Sequence, residues 1–333
     1  YTCPTRFKIS FGPESRCARP CFGAESLRKA LNRAILIVYR EFEIPGDYPS
    51  LKKAKNCFVL RRDWEAVVKQ IKSVHRMSRR KSFRLSSALK SCNRIFDAEC
   101  AICDKIAAAD ARRKWEAKVS QPCFGVSRLD RGTPELLRFK ARQLTKGWGE
   151  SLRLRREGWD CPSLKNSYVP DQQGCYESTR GGGGTLATPE SSFSPHLNHL
   201  RVGVAKTKGK FRVVTMQPAR VKRVLTPVHN ALYDHISSFG WCVRGDVTRE
   251  TFAAVVADRR KGESFISGDY SQASDGIFPW ATAAVVDALL DEDCLTDEER
   301  YVLRASFDNL SWVSRKGVKN PIIRGQMMGS LVG

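Results

Sequence analysis

The chain has 333 residues, 57 Lys+Arg against 35 Asp+Glu, and a formal charge of +22 with 41% hydrophobic and 28% charged residues. That apolar content is enough for a packed core and excludes disorder throughout, while the cation surplus calls for a polyanionic partner, nucleic acid or an anionic surface. The longest apolar run, Ala34 to Tyr39 between Arg33 and Arg40, is far short of the ~18 residues that would cross a bilayer, so no membrane segment is expected.

The N-terminus, Tyr1-Thr2-Cys3-Pro4, has no apolar core of a secretory signal behind it, and both it and Gly333 read as cut ends. Apolar residues at three and four spacing predict a helix through Leu27, Leu31, Ile35 and Val38, with Gly23 just ahead of it. They predict another through Trp64, Val67, Val68 and Ile71, and a long one from Leu85 to Ile106. Thr133-Pro134-Glu135 has the form of a helix cap and first turn. Residues 1–170 are therefore expected to form a basic, mainly helical region.

The helical period stops between 171 and 195, where Gly181 to Gly184 run unbroken, and a linker or loop is expected there. Residues 196–333 then read as mixed α and β. Phe211 to Met216 and Phe265 to Asp269 are predicted strands, and Thr226-Pro227 is the predicted start of a helix with Ala231, Leu232 and Ile236. Thr296 and Glu299 have capping-box spacing ahead of a helix over Asp297 to Phe307, and Ser311 to Ile323 reads as a hairpin turning at Lys316-Gly317.

Twelve cysteines in a chain without a secretory signal favour reduced thiols over a disulfide framework. Neither Cys92, Cys100 and Cys103 nor Cys3, Cys17 and Cys21 form paired C-x-x-C knuckles, so buried thiols are favoured over structural zinc.

Three stretches carry the chemistry. Asp269 stands at a predicted strand end with Asp275 beyond it, in Ser267-Gly268-Asp269-Tyr270-Ser271-Gln272-Ala273-Ser274-Asp275-Gly276. Upstream, no Asp or Glu occurs between Glu190 and Asp234, and Lys210 and Arg212 fall on one face of a strand, as phosphate binding requires. At the end, Arg324-Gly325-Gln326-Met327-Met328-Gly329-Ser330 offers small residues for close backbone approach, with a hydroxyl beside them.

In this order the stretches resemble viral RNA-dependent RNA polymerases of the narnavirus, mitovirus and ourmia-like (botourmiavirus) group, from about Gly203 onward. Lys208-Gly209-Lys210-Phe211-Arg212-Val213-Val214 is similar to the basic finger motif over the incoming triphosphate. Arg220 to His235, with Thr226-Pro227-Val228-His229, and Arg244-Gly245-Asp246-Val247-Thr248 resemble group-specific stretches. Ser267 to Asp275 resembles the first palm motif and Gly325 to Ser330 the start of the second.

The resemblance implies an α+β right-hand polymerase: a helical N-terminal region, fingers and an incomplete palm, with the thumb expected beyond Gly333. It implies RNA-directed nucleotidyl transfer in replication of a positive-strand RNA virus, with RNA template and product and nucleoside triphosphates as partners, in the host cytoplasm rather than the mitochondrion. Asp269 would ligate Mg²⁺, replaceable by Mn²⁺, with the Tyr270 carbonyl beside it. Lys210 and Arg212, helped by Lys208, Lys222 or Arg223, would neutralise the triphosphate. Asp275 with Ser330 would recognise the ribose 2′-hydroxyl, which argues against a reverse transcriptase, and Gly325 and Gly329 would bring the backbone close.

The family's Gly-Asp-Asp turn is missing, since the chain contains no adjacent Asp pair. Truncation within the second palm motif accounts for this, and the chain alone is expected to be inactive. A non-enzymatic RNA-binding or nucleocapsid protein is the alternative that the basic first half would equally satisfy.

Overall fold

A computed structural model describes residues 21–74, 77–121, 133–157, 173–207, 209–243, 245, 247–257, 259–260, 262–264, 274–314, 316–325, 327 and 329–331. The fold is α+β, mostly helical with one small mixed sheet. It divides into two compact units, Tyr1–Trp115 with Val204–Val213, and Glu116–Gly203 with Val214–Gly333. The chain passes between the units after Trp115, Gly203 and Val213. No described helix is long and apolar enough to cross a membrane.

In the first unit, α1 (Phe22–Glu41) buries Leu27, Leu31, Ile35 and Val38 along one stripe. These residues pack with Leu60, Trp64 and Ile71 of α2 (Cys57–Val74) and Leu85 and Leu89 of α3 (Arg79–Ser91). Each fully buried side chain of this size contributes about 1.5–3 kcal/mol. The Asn32 side chain exchanges two hydrogen bonds with the backbone of Leu51, tying the intervening loop to α1.

The long helix expected from Leu85 to Ile106 is broken. After α3 comes a 3₁₀ segment, Cys92–Ala98, and after an extended Glu99 the chain enters α4 (Ala101–Val119). Tertiary bonds account for the break: Asn93 accepts from Trp64 Nε1 at 2.8 Å, and Asp97 accepts from the Gly209 amide at 2.7 Å. The tighter turn keeps Phe96 buried while those two side chains reach their partners.

Strands β1 (His199–Thr207) and β2 (Lys210–Met216) form a hairpin whose tip, residues 204–213, groups with the first unit. That tip is clamped by charge. The Glu99 carboxylate, only 1% exposed, pairs with Arg61 and with Lys206, each at 3.0 Å, and Lys206 also meets Asp104 at 2.5 Å. Arg61 donates to the Gly209 carbonyl and its guanidinium lies over Phe96. Burial opposes the charge on Lys206, but its bonds to Asp104 and Glu99 outweigh this and raise its pKa.

In the second unit, α5 (Thr133–Thr145) packs on α9 (Pro279–Leu290) and α6 (Trp148–Glu157) on α7 (Ala219–Ser237), while α8 spans Arg249–Ala257. Trp148, Leu152, Val221, Leu225, Val228 and Leu303 are core residues there. Helix α10 (Asp297–Ala305) opens on the expected capping box between Thr296 and Glu299 and ends two residues earlier than expected.

Helix α7 begins at Ala219, after Pro218, and Pro227 lies inside it. It does not start at Thr226-Pro227 as the sequence suggests. An interior proline costs about 3 kcal/mol, but burial of Val221 and Leu225 before it and Val228 and Ala231 after it holds both halves in one helix.

Strand β3 (Ser311–Val313) runs parallel to β1, pairing Leu200 with Trp312, and antiparallel to β4 (Lys319–Pro321), giving the order β2-β1-β3-β4. The expected hairpin is present, turning where Ser314 meets Val318. The strand expected at Phe265 to Asp269 lies outside the described residues.

The glycine-rich stretch is extensively hydrogen-bonded. Glu177 accepts from the amides of Ala219 and Ser194, both at 2.9 Å, and so ties the loop to the first turn of α7, where a carboxylate is electrostatically favoured. Thr188 donates its hydroxyl to the Gly184 carbonyl at 2.8 Å, and the Thr185 and Thr188 side chains are buried.

The Glu99 clamp gives a direct stability test. Glu99→Gln is expected to lower the unfolding free energy by about 3 kcal/mol, because it leaves Arg61 and Lys206 without their shared counter-charge. Adding Lys206→Met should cost less than the sum of the two single changes, measured by urea unfolding followed by circular dichroism.

Candidate functional site

Asp275 sits in a 3₁₀ turn, Ser274–Gly276, just ahead of α9. Its carboxylate lies 3.3 Å from the Lys118 ammonium, with both side chains largely sheltered. Lys118 belongs to the last turn of α4, and the chain leaving β4 fixes that end: Ile323 N–H donates to the Val119 carbonyl and Arg324 Nε to the Lys118 carbonyl, both at 2.9 Å. Three segments distant in sequence thus meet around one carboxylate.

Gly325 completes the junction. Its amide donates to the Ile277 carbonyl at 2.8 Å, and a Cβ at this position would stand 3.2 Å from both Cα and O of Asp275. With φ at +94°, the residue occupies backbone space that favours glycine. The chain then passes through Met327, which is buried, to Gly329, where φ is +106° and a Cβ would lie 2.3 Å from the Thr215 carbonyl oxygen near the end of β2. The Leu331 amide donates to Gln217 Oε1 at 2.8 Å. Gly325 thus packs on the Asp275 turn, and Gly329 and Leu331 meet Thr215 and Gln217.

Ser330 is half-buried, its amide donating to the Met327 carbonyl at 3.1 Å. Lys210 and Arg212 are exposed on β2. Lys222 and Arg223 are placed differently. Lys222 is buried and donates to the Gly174 carbonyl at 3.1 Å, while Arg223 donates to the Thr188 carbonyl at 2.7 Å and lies over the Phe193 ring. Both cations brace the 173–195 loop. Lys208, Asp269 and Tyr270 lie outside the described residues.

Beside Gly325 opens a pocket of about 480 Å³ bordered by Trp280, Asp287, Arg304, Asp308 and Arg324. Its size is within the range for small-ligand sites, and it carries charges of both signs. Arg324 belongs to the glycine-containing stretch at the end of the chain, but nothing in the sequence marks Lys118. Lys118 is one of many cations in the basic first half, and 157 residues separate it from Asp275.

Among the described residues, one group of three or more potential metal ligands comes together: the thiols of Cys21, Cys57, Cys100 and Cys103 in the first unit. Burial pushes the Cys57 thiol up. Thiolates are soft donors and do not suit Mg²⁺, which takes hard oxygens. No protein-family model, curated protein or solved structure matches the chain.

Close approach at Gly329 can be separated from backbone conformation. Gly329→Ala is expected to destabilise the protein by more than about 3 kcal/mol, since a methyl must displace the Thr215 carbonyl. Gly317→Ala, with φ at +77° but nothing within 4 Å of the added carbon, should cost only about 1 kcal/mol, the two being compared by urea unfolding.

Proposed function

We propose that this chain supplies finger and palm elements of an RNA-directed RNA polymerase. The enzyme would transfer nucleotides from nucleoside triphosphates to an RNA 3′-hydroxyl on an RNA template, replicating a positive-strand RNA virus of the ourmia-like group in the host cytoplasm. The observation that carries the reading is the packing of Gly325 on the backbone of Asp275. The two stretches that resemble successive palm motifs lie some fifty residues apart in sequence and are in direct contact.

In this reading each residue has a defined task. Lys210 and Arg212 present two cations from one exposed face of β2 and neutralise triphosphate charge as it redistributes in the transition state. Asp275 is held near Lys118 with its carboxylate partly accessible and accepts a hydrogen bond from the ribose 2′-hydroxyl, with the Ser330 hydroxyl as second partner. Asp269, with the Tyr270 carbonyl, would hold Mg²⁺, whose chemistry when bound is to activate the attacking hydroxyl and stabilise the leaving pyrophosphate. Lys222 and Arg223 support the site through the loop that they brace.

Asp269→Asn in the complete open reading frame is expected to abolish nucleotide incorporation on an RNA template while RNA binding persists; incorporation at the wild-type rate would remove the assignment. RNA binding with no incorporation by the wild-type product would favour the nucleocapsid class instead.

Asp275→Ala separates selectivity from catalysis. It should mainly erode the preference for ribonucleotides over deoxyribonucleotides, by roughly the tenfold or more that one lost hydrogen bond of 1.5 kcal/mol represents. An unchanged ratio of the two kcat/KM values would argue against the 2′-hydroxyl role.

A further inference from the structure

Four cysteines in the first unit are brought together from positions that give no repeated spacing. The Sγ atoms of Cys21, Cys57, Cys100 and Cys103 all lie within 4.8 Å of one another, and Cys21 and Cys57 are 3.7 Å apart. A disulfide requires about 2.05 Å, so this is not a bridged pair. In a tetrahedral tetrathiolate with metal–sulfur bonds of about 2.3 Å, the sulfur–sulfur edge is about 3.8 Å. Cys21 and Cys57 stand at that figure, and no pair among the four exceeds 4.8 Å.

The backbone around them is also suited to thiolates. Cys21 is the N-cap of α1 and its side chain makes no capping hydrogen bond; Cys57 is the first residue of α2; Cys100 immediately precedes α4, and Cys103 lies in its first turn. Three helix N-termini, each with amides pointing outward and the positive end of a dipole, therefore face one small volume and favour negative charge on sulfur. The Cys103 amide donates to Cys100 Sγ at 3.3 Å, an N–H to sulfur bond across a C-x-x-C turn.

Access and packing point the same way. Cys21, Cys57 and Cys103 are buried and Cys100 is partly so. Gly23 leaves no spare room, since a Cβ there would stand 3.1 Å from Cys100 Cβ and 3.5 Å from Cys57 Sγ. Four sulfur ligands with no place for water make a closed set, which is the character of a structural site and not of a catalytic one.

We propose that Cys21, Cys57, Cys100 and Cys103 bind one Zn²⁺ as a tetrathiolate and so fasten the N-termini of α1, α2 and α4 together. Each thiol gives up its proton to solvent as its sulfur bonds the metal, and no electron is transferred. A cluster of several irons would hold its four cysteine sulfurs further apart. The site bears on the hairpin as well. Glu99, the carboxylate between Arg61 and Lys206, directly precedes Cys100, so the metal would fix the turn from which that carboxylate extends.

The test uses the 333-residue chain produced with zinc in the medium and purified without chelator. Elemental analysis is expected to give one Zn²⁺ per chain, falling to background in Cys57→Ser and Cys103→Ser but unchanged in Cys92→Ser, whose thiol lies outside the group. Should the serine variants be insoluble, wild-type chain loaded with Co²⁺ gives an independent reading. It should show the charge-transfer and intense d–d absorption of tetrahedral cobalt tetrathiolate, bleached by added Zn²⁺. Zinc retained by both serine variants, or a soluble wild-type chain with neither stoichiometric zinc nor that cobalt spectrum, would overturn the proposal.

Discussion

Glu99 carries one negative charge into a place where two cations reach it, and the first unit is arranged around that fact. Arg61 comes from α2, Lys206 from β1 and Glu99 from the extended residue between the 3₁₀ segment and α4. A carboxylate so buried is tolerated only when its charge is answered, and removing either cation would leave an energetic debt in the interior. The pairing therefore fixes the hairpin tip in register with α2 and α4. Lys206 is drawn inward beside the Phe211 ring, and Lys210 and Arg212 on either side of Phe211 are exposed along β2.

The second unit solves a different problem, that of bringing short segments together without a large sheet. Strands β3 and β4 are three residues each, and the order β2-β1-β3-β4 joins the first hairpin to this later one through a three-residue parallel pairing. The chain after β4 then makes single backbone bonds, first to Val119, then to Ile277, and finally reaches Gln217. Each bond is modest alone, about 1 kcal/mol. Together with the Arg324 bond to the Lys118 carbonyl, they set Asp275, Lys118 and Gly325 side by side.

Much of this was legible where the signal is local. The stripe Leu27, Leu31, Ile35, Val38, the box of Thr296 with Glu299, and the Ser311 to Ile323 hairpin depend on neighbours a few residues away, and all three are present. The break at Cys92–Ala98 was not legible, because Trp64 and Gly209, its causes, are distant in sequence. Pro227 misled for the related reason that burial on both sides outweighs its local preference. Of the site, Asp275, Gly325 and Gly329 could be named from the sequence. The ion pair to Lys118 could not, nor could the joining of the single C-x-x-C at Cys100 and Cys103 with Cys57 and Cys21, which lie at no motif spacing from it.

The loop around Gly181 to Gly184 has a practical meaning for anyone who would divide this molecule. By composition it is the cheapest place to cut, to insert a tag or to join two halves expressed apart. Glu177, Thr185, Thr188, Lys222 and Arg223 instead make it a splint along the start of α7, with Thr185 and Thr188 buried. An insertion there would disturb the first turns of the helix at the centre of the second core. Because residues 204–213 group with Tyr1–Trp115 while the chain on both sides of them belongs to the second unit, no single cut separates the two units.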